Sequence, residues 1–515
     1  MSNFRRASGW AETWTRIATL AALLTLLIPA AARAAPGDLD PSFGQGVYAA
    51  VQTVQPCLSG CLGHGGPFFS SSADALALQP NGGIVLGGYR FRRAVGVVHP
   101  VSALQPVGAP PHDGEEAPGA LVRLNPNGTA DTSFGGSGGI VRTPFEVTDI
   151  HANARGGLRV TGVIGQRTGV QRYTSSGVLD GFYGTQGVRW SPLLAEGQRD
   201  GRGRILEFTT FIVPATDYQE AVEKSAITRI LPSGQRDTRF GHHGYVSLPT
   251  EAEPVGLVSQ RDESVLLAFT TENQVHPLKP PYIFIEHLTP TGRLDRSFGT
   301  RGIARIPLQG FTVGITLFPA PDGDLLIAGG EHRGTRLFEG EDYLMLAAYT
   351  RAGRPDRHFG HDGITRSHLP IDSPDAGPAR ALDGDETAAR AFLYRGPRPT
   401  AIAFDASGNA VMSGDAHGGF LARYTPHGRD CAFGSGGVIV DERFSAMNAL
   451  ALQPNGRIVV AGGGGEFRAA RYMGGVSHTC AGEPTANAPA NPHRAPRARH
   501  ARARPSRPRA RERRV

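Results

Sequence analysis

Cysteine, methionine and tryptophan are scarce in this chain of 515 residues, at four, five and three copies. Cys57 and Cys61 form one C-x3-C pair, but Cys431 and Cys480 supply no second close pair, which makes a poor zinc signature. Exposed tryptophans are common on carbohydrate platforms. Here two of the three, Trp10 and Trp14, fall in an N-terminal targeting segment, which leaves Trp190 and weighs against a sugar-processing role. Lysine occurs only as Lys224 and Lys279, so the basic charge is almost all arginine. The longest apolar run, Ile17 to Ile28, is too short to span a bilayer. No P-loop, H-E-x-x-H or D-x-[DN]-x-[DN]-G calcium loop occurs.

Hydrophobic residues make up 40% of the chain, enough for a sizeable core. Glycine (69) and proline (39) punctuate it at a density that excludes a long helical bundle and favours many short strands. Net charge is +7, which invites a nucleic-acid reading, but the charge is terminal. Residues 481–515 carry ten Arg against Glu483 and Glu512, and residues 1–34 carry four Arg against Glu12, so the body between them is mildly acidic. Residues 1–34 read as a secretory signal: Arg5, Arg6 and Arg16, then the apolar run, then Ala32-Arg33-Ala34 as a small-residue cleavage site. The protein is therefore expected to be secreted, periplasmic or at the cell surface, with no transmembrane segment in the mature chain. An even cysteine count in an exported chain suggests disulfides. Of three pairings, Cys57–Cys61 with Cys431–Cys480 is favoured. Residues 481–515 have no apolar periodicity and are expected to be disordered.

An internal repeat organises the body. G-x-x-D-x-x-F-G-x-x-G-[VI] begins at Gly37, Gly128, Gly177, Gly234, Gly292, Gly353 and Gly428, the last copy one residue short before its Asp. The repeated pairs are Asp40 with Phe43, Asp131 with Phe134, Asp180 with Tyr183, Asp237 with Phe240, Asp295 with Phe298, Asp356 with Phe359, and Asp430 with Phe433. Asp suits a turn because its carboxylate accepts backbone N–H bonds two or three residues on. The aromatic ring packs between repeats. Three short β-rich stretches precede each motif, separated by Asn-Gly, Asp-Gly or Ser-Gly turns, as in ALALQPNGGIVLGG from Ala75 and ALALQPNGRIVVAGG from Ala449. The segment after the motif supplies a fourth strand. An Arg recurs in the third stretch (Arg123, Arg172, Arg229, Arg423, Arg471), replaced by His287 and Ala348 in two units, and is expected to pair with an acid or carbonyl near the repeated Asp.

Seven four-stranded units predict an all-β fold, a seven-bladed β-propeller over 35–480. The chain opens with the motif and fourth strand alone and ends after a third strand, so the N-terminal strand is expected to close the ring. The motifs resemble the delta-60 repeat family, bacterial exported or surface proteins, most closely at Leu39–Gly46, Ala75–Gly88, Gly292–Gly302 and Ala449–Gly462. That resemblance implies a propeller-like fold and export, with no defined activity and no catalytic residues to carry over.

The expected strand order puts every long insertion on one side of the disc: 48–72, 89–118, 209–222, 270–281, 331–342 and 366–399. Variable loops on a uniform scaffold are the usual geometry of a binding surface. The leading expectation is a monomeric, non-enzymatic binding or cell-surface module whose insertion face takes a protein or polymer. A hydrolase or lyase of an envelope or extracellular polymer is the alternative. Asp372, Asp375, Asp383, Asp385 and Glu386 are weak candidates for calcium; no other cofactor is expected. The arginine tail could contact a polyanion. The G-x-S-x-G at Gly135–Gly139 falls in the repeat's own turn, not at the strand-to-helix elbow a nucleophile needs.

Overall fold

The structure, a computed structural model, describes residues 34–480 apart from 45–48, 52–67, 94–117, 137, 166, 192–197, 201, 203, 214–221, 232–234, 250–251, 272–281, 337–338, 370–396 and 417. Among these residues the regular elements are β-strands, save one 3-10 turn at Phe134–Gly136. The first sheet runs Phe68–Leu78, Ile84–Arg93, Gly119–Leu124 and Ile140–Thr143, each strand antiparallel to the one before. Four more four-stranded meanders span 146–191, 198–247, 252–307 and 311–368. Ala446–Leu452, Ile458–Gly463 and Phe467–Tyr472 are completed by a strand from the other end of the chain, Ala49–Val51, with Ala49 opposite Ala469. One pairing, Ser72 with Gly463, joins this group to the first sheet and makes eight strands continuous.

Each hydrophobic cluster is shared by two neighbouring sheets, because strands such as Leu158–Ile164 alternate buried and outward positions. Ile285, Ile306, Leu317 and Met345 join 252–307 to 311–368. Leu346, Met412 and Phe420 join the latter to the next sheet. Phe43, Leu86, Val122 and Phe467 join the first group to the last. First strands also touch first strands: Phe68–Leu78 meets both Glu146–Ala152 and Ala446–Leu452. Stacking that returns on itself in this way makes the chain an all-β propeller.

A bulge interrupts the first strand of six sheets, at Ala73/Ala75, Val147/Asp149, Pro254/Gly256, Val313/Thr316, Pro399/Ala401 and Met447/Ala449. In four of them the bulge presses a carbonyl onto the facing second strand. A Cβ on Gly88, Gly162, Gly414 or Gly462 would lie 1.8–2.2 Å from the oxygen of Ser72, Glu146, Arg398 or Ala446. The glycines that end the second stretch of each repeat are the sequence trace of that approach.

Two expectations are corrected. The 398–441 sheet has five strands, because Gly428–Arg429 also pairs with Gly419–Thr425. Residues 331–342, expected as a loop, lie mostly in a long hairpin of Leu325–Arg336 and Glu339–Tyr349. Its fully buried Glu331 pairs with Arg366 at 2.5 Å.

Candidate functional site

The turn side of the disc is built from one device used seven times. The N–H of Asp40, Asp131, Asp180, Asp237, Asp295, Asp356 and Asp430 each donates to the carbonyl of the third-strand position that carries Arg, His287 or Ala348. Each Asp Oδ1 accepts the N–H two residues on, and each Asp carbonyl accepts the N–H of the repeat aromatic. Arg123, Arg229, Arg423 and Arg471 donate Nε to Asp Oδ2 at 2.6–3.1 Å and lie 4.4–4.9 Å from the centroid of Phe134, Phe240, Phe433 or Phe43. His287 Nδ1 meets Asp295 at 3.0 Å instead, and Arg172 lies 4.3 Å from the centre of the Tyr183 ring. The Ser133 hydroxyl first, and then Arg123, hold the Asp131 carboxyl below the usual carboxylate range.

These turns are hydrogen-bonded to one another around the disc. Gly44, Gly135, Gly241, Gly299 and Gly360 donate to the carbonyls of Asn127, Ser176, Thr291, Ala352 and His427 at 2.7–3.0 Å. Gly434 donates to Pro36, so the N-terminal segment takes over the turn of the last repeat. Gly37 donates to Met473, and Arg471 reaches Asp40 across 431 residues. Released from that role, the chain beyond Gly474 folds back on the preceding sheet. The Gly474 and Val476 carbonyls accept from Arg423, His478 N–H donates to Asp430, and Cys480 is disulfide-bonded to Cys431.

A cleft of about 720 Å³ opens at this seam, lined by Gly37–Leu39, Gly434, Ser435, Val438–Arg443 and Tyr472. In its wall the buried Asp441 carboxylate accepts the Tyr472 hydroxyl and Arg443, both at 2.5 Å. Burial alone would raise Asp441, but the Arg443 and Tyr472 hydrogen bonds hold it low; burial, then the Asp441 charge, push the Tyr472 phenol up. No repeat motif includes Asp441 or Arg443, and the sequence carries no signal that would have singled them out.

A second polar group sits at the bulges of the first strands. Asn448 Nδ2 donates to Asp74 Oδ1 at 2.6 Å and to Ser72 Oγ at 2.9 Å. Burial pushes Asp74 up to about 6 against these hydrogen bonds, helped by the charge of Glu146, which burial raises as well. Thr400, at the next bulge round, donates to the Met447 carbonyl at 2.7 Å. Asp74 and Asn448 occupy corresponding bulge positions of two repeats, a coincidence visible only once the bulges are known.

The other candidates separate cleanly. Asp372, Asp375, Asp383, Asp385, Glu386, Cys57 and Cys61 lie outside the described residues, as does Ser137. Among the described residues no group of His, Cys, Asp or Glu is placed to hold a metal ion, and no helix is long and apolar enough to cross a membrane.

A domain family of unknown function, the DUF5122 β-propeller, matches residues 119–134, the third strand and turn of the first sheet. A search of curated proteins found no match. Among solved structures, the chain is similar to a protein of unknown function from Dyadobacter fermentans (12% identity, 78% of this chain, 94% of that one, TM-score 0.33). It is also similar to the polysaccharide lyase Uly1 (10% identity, 85% and 97%, TM-score 0.35) and to Drosophila Plexin A in complex with Semaphorin 1b (11%, 79% and 86%, TM-score 0.32). The short family match agrees with a propeller of repeated units, and the structural likenesses carry no functional argument.

Proposed function

We propose that the protein is an exported, seven-bladed propeller of the delta-60 type that acts as a non-enzymatic binding or cell-surface interaction module. Seven blades follow if the eight-stranded sheet is counted as two four-stranded blades meeting at Ser72 and Gly463. One contrast carries the functional reading. The turn side repeats a single hydrogen-bonded device, whereas the second-to-third-strand connections on the other side run from two residues after Ile164 to 25 after Arg93, and one of them ends the hairpin of Leu325–Arg336 and Glu339–Tyr349. Uniformity serves the ring, and variation marks the surface free to acquire a partner. The partner is a protein or an envelope polymer; export and a monomeric state belong to the same reading.

The test is co-sedimentation of the full chain with purified peptidoglycan and with extracellular polysaccharide. It is compared with a chain whose hairpin tip, 333–341, is replaced by a two-residue turn and with one ending at 480. Loss on shortening the hairpin, with retention in the chain ending at 480, is expected. Retention that depends wholly on 481–515 overturns the reading.

A polymer-cleaving enzyme is the second reading, favoured by the raised carboxyls of Asp74 and Glu146. New reducing ends or unsaturated products, lost in Asp74→Asn, would replace the first reading with this one.

A further inference from the structure

One joint of the disc is built unlike the others. In each second strand, the residue paired with the third-strand Arg, His287 or Ala348 faces the following sheet, and the residue after it faces the preceding one. Wherever two sheets share a hydrophobic cluster, these two positions lie in it together. Val85 shares its cluster with Val160, Leu326 with Met412 and Val459 with Leu86, all buried. Leu206, Leu266 and Val411 share theirs with Leu267, Ile327 and Val460 in the same way. Among the described residues no cluster joins the 146–191 sheet to the 198–247 sheet. There the two positions hold Arg159 and Glu207.

Each of the two residues lacks what the other carries. Arg159 and Arg172 are cross-strand partners, both exposed. Like charges directly opposite each other repel, and a facing carboxylate offsets them. One Glu207 carboxyl oxygen is buried with no hydrogen-bond partner among the described residues, and burial pushes that carboxyl up. A carboxylate so placed is costly until a cation reaches it. The packing round this joint is open. Tyr183 is half-buried, whereas the six repeat Phe rings are buried, and Arg172 is exposed, whereas Arg229, Arg423 and Arg471 are buried.

We propose that Arg159 and Glu207 pair across this joint and latch it, and that the disc opens here when the pair is released. The two charges are of opposite sign and fall on the two positions that lie together at the other joints. An apolar joint is held by burial, which electrostatic screening leaves untouched. An ion pair near the surface is screened by salt and contributes far less than a buried cluster. The disc therefore has one joint that opens under conditions that leave the apolar joints shut.

Alkylation of a cysteine placed on the joint face of the full chain, followed by mass spectrometry, reads the opening. Thr161→Cys, two residues beyond Arg159 in the same strand, should label about 2- to 5-fold faster in about 1 M than in about 0.05 M NaCl, the range such an ion pair supports. Ala328→Cys, at the matching position of the Leu326–Met412 joint, should label slowly at both. Adding Arg159→Glu to Thr161→Cys should give fast labelling at both salt concentrations. Adding Glu207→Arg to that variant should restore the slow rate at low salt. Arg159→Leu with Glu207→Met, which rebuilds the apolar pair of the other joints, should slow Thr161→Cys to the rate of Ala328→Cys and remove its salt dependence. Salt-independent labelling of Thr161→Cys overturns the proposal, as does a swapped pair that labels as fast as Arg159→Glu alone. Should Arg159→Glu fail to fold, the apolar pair decides: labelling as fast as with Arg159 and Glu207 in place overturns the proposal.

Discussion

Asp74 shows how one residue couples packing to pH. Its folded carboxyl, at about 6, lies above the ordinary value of 3.8, so folding favours the protonated form. The stability it contributes is complete below about pH 4 and is lost as pH rises through 6. Asp74→Asn mimics the neutral group at every pH. It should therefore melt above wild type at pH 7.5, and the difference should close by pH 4; thermal melts at the two pH values check this. An unchanged difference would mean that the carboxyl does not titrate in this range. Four repeat aspartates, Asp40, Asp131, Asp237 and Asp295, behave in the opposite way. Asp40 is buried, which alone would raise it, but Ser42 and Arg471 hold it low.

Among elements, the bulged first strand and the glycine of the second strand act as one unit. Gly462→Ala places a methyl group 1.9 Å from the Ala446 carbonyl oxygen, a backbone atom that cannot rotate away. It should cost about 1–3 kcal/mol in urea unfolding, whereas Gly181→Ala, with nothing within 4 Å, should stay within about 0.5 kcal/mol. The strands and turns were legible in the sequence because they rest on local chemistry. Asn-Gly dipeptides bend where a positive φ is needed, as at Gly82, and Asp positions cap the chain two residues on. The bulges were not legible, since a register shift is set by the facing strand and leaves only a glycine such as Gly88 as its mark. For the same reason Asp74, Asn448 and Asp441 escaped notice: each owes its surroundings to a different sheet. The hairpin at 331–342 leaves no apolar alternation in the sequence; its strands are set by the pairing of Leu325–Arg336 with Glu339–Tyr349.

Across the whole molecule, the two ends of the folded body meet at one seam. Residues 36–44 complete the last repeat, and 474–480 are pinned to the preceding sheet by Arg423 and by the Cys431–Cys480 bond. That bond spans 49 residues, so replacing both cysteines with serine should lower stability by about 2–4 kcal/mol in denaturant titration. Trypsin should then cut first near the seam, and cutting elsewhere would locate the weak point at another interface. The seam also sets a clock. Asp40 is made early, but its partner Arg471 follows 431 residues later, which at typical rates of synthesis is about 20–90 s. Until then Phe43 lacks Phe467 and Arg471, the part of its surroundings that the last repeat supplies, and the final repeat cannot finish. The disc can close only after nearly the whole body has been made, so any partner of the open chain has that interval in which to reach it.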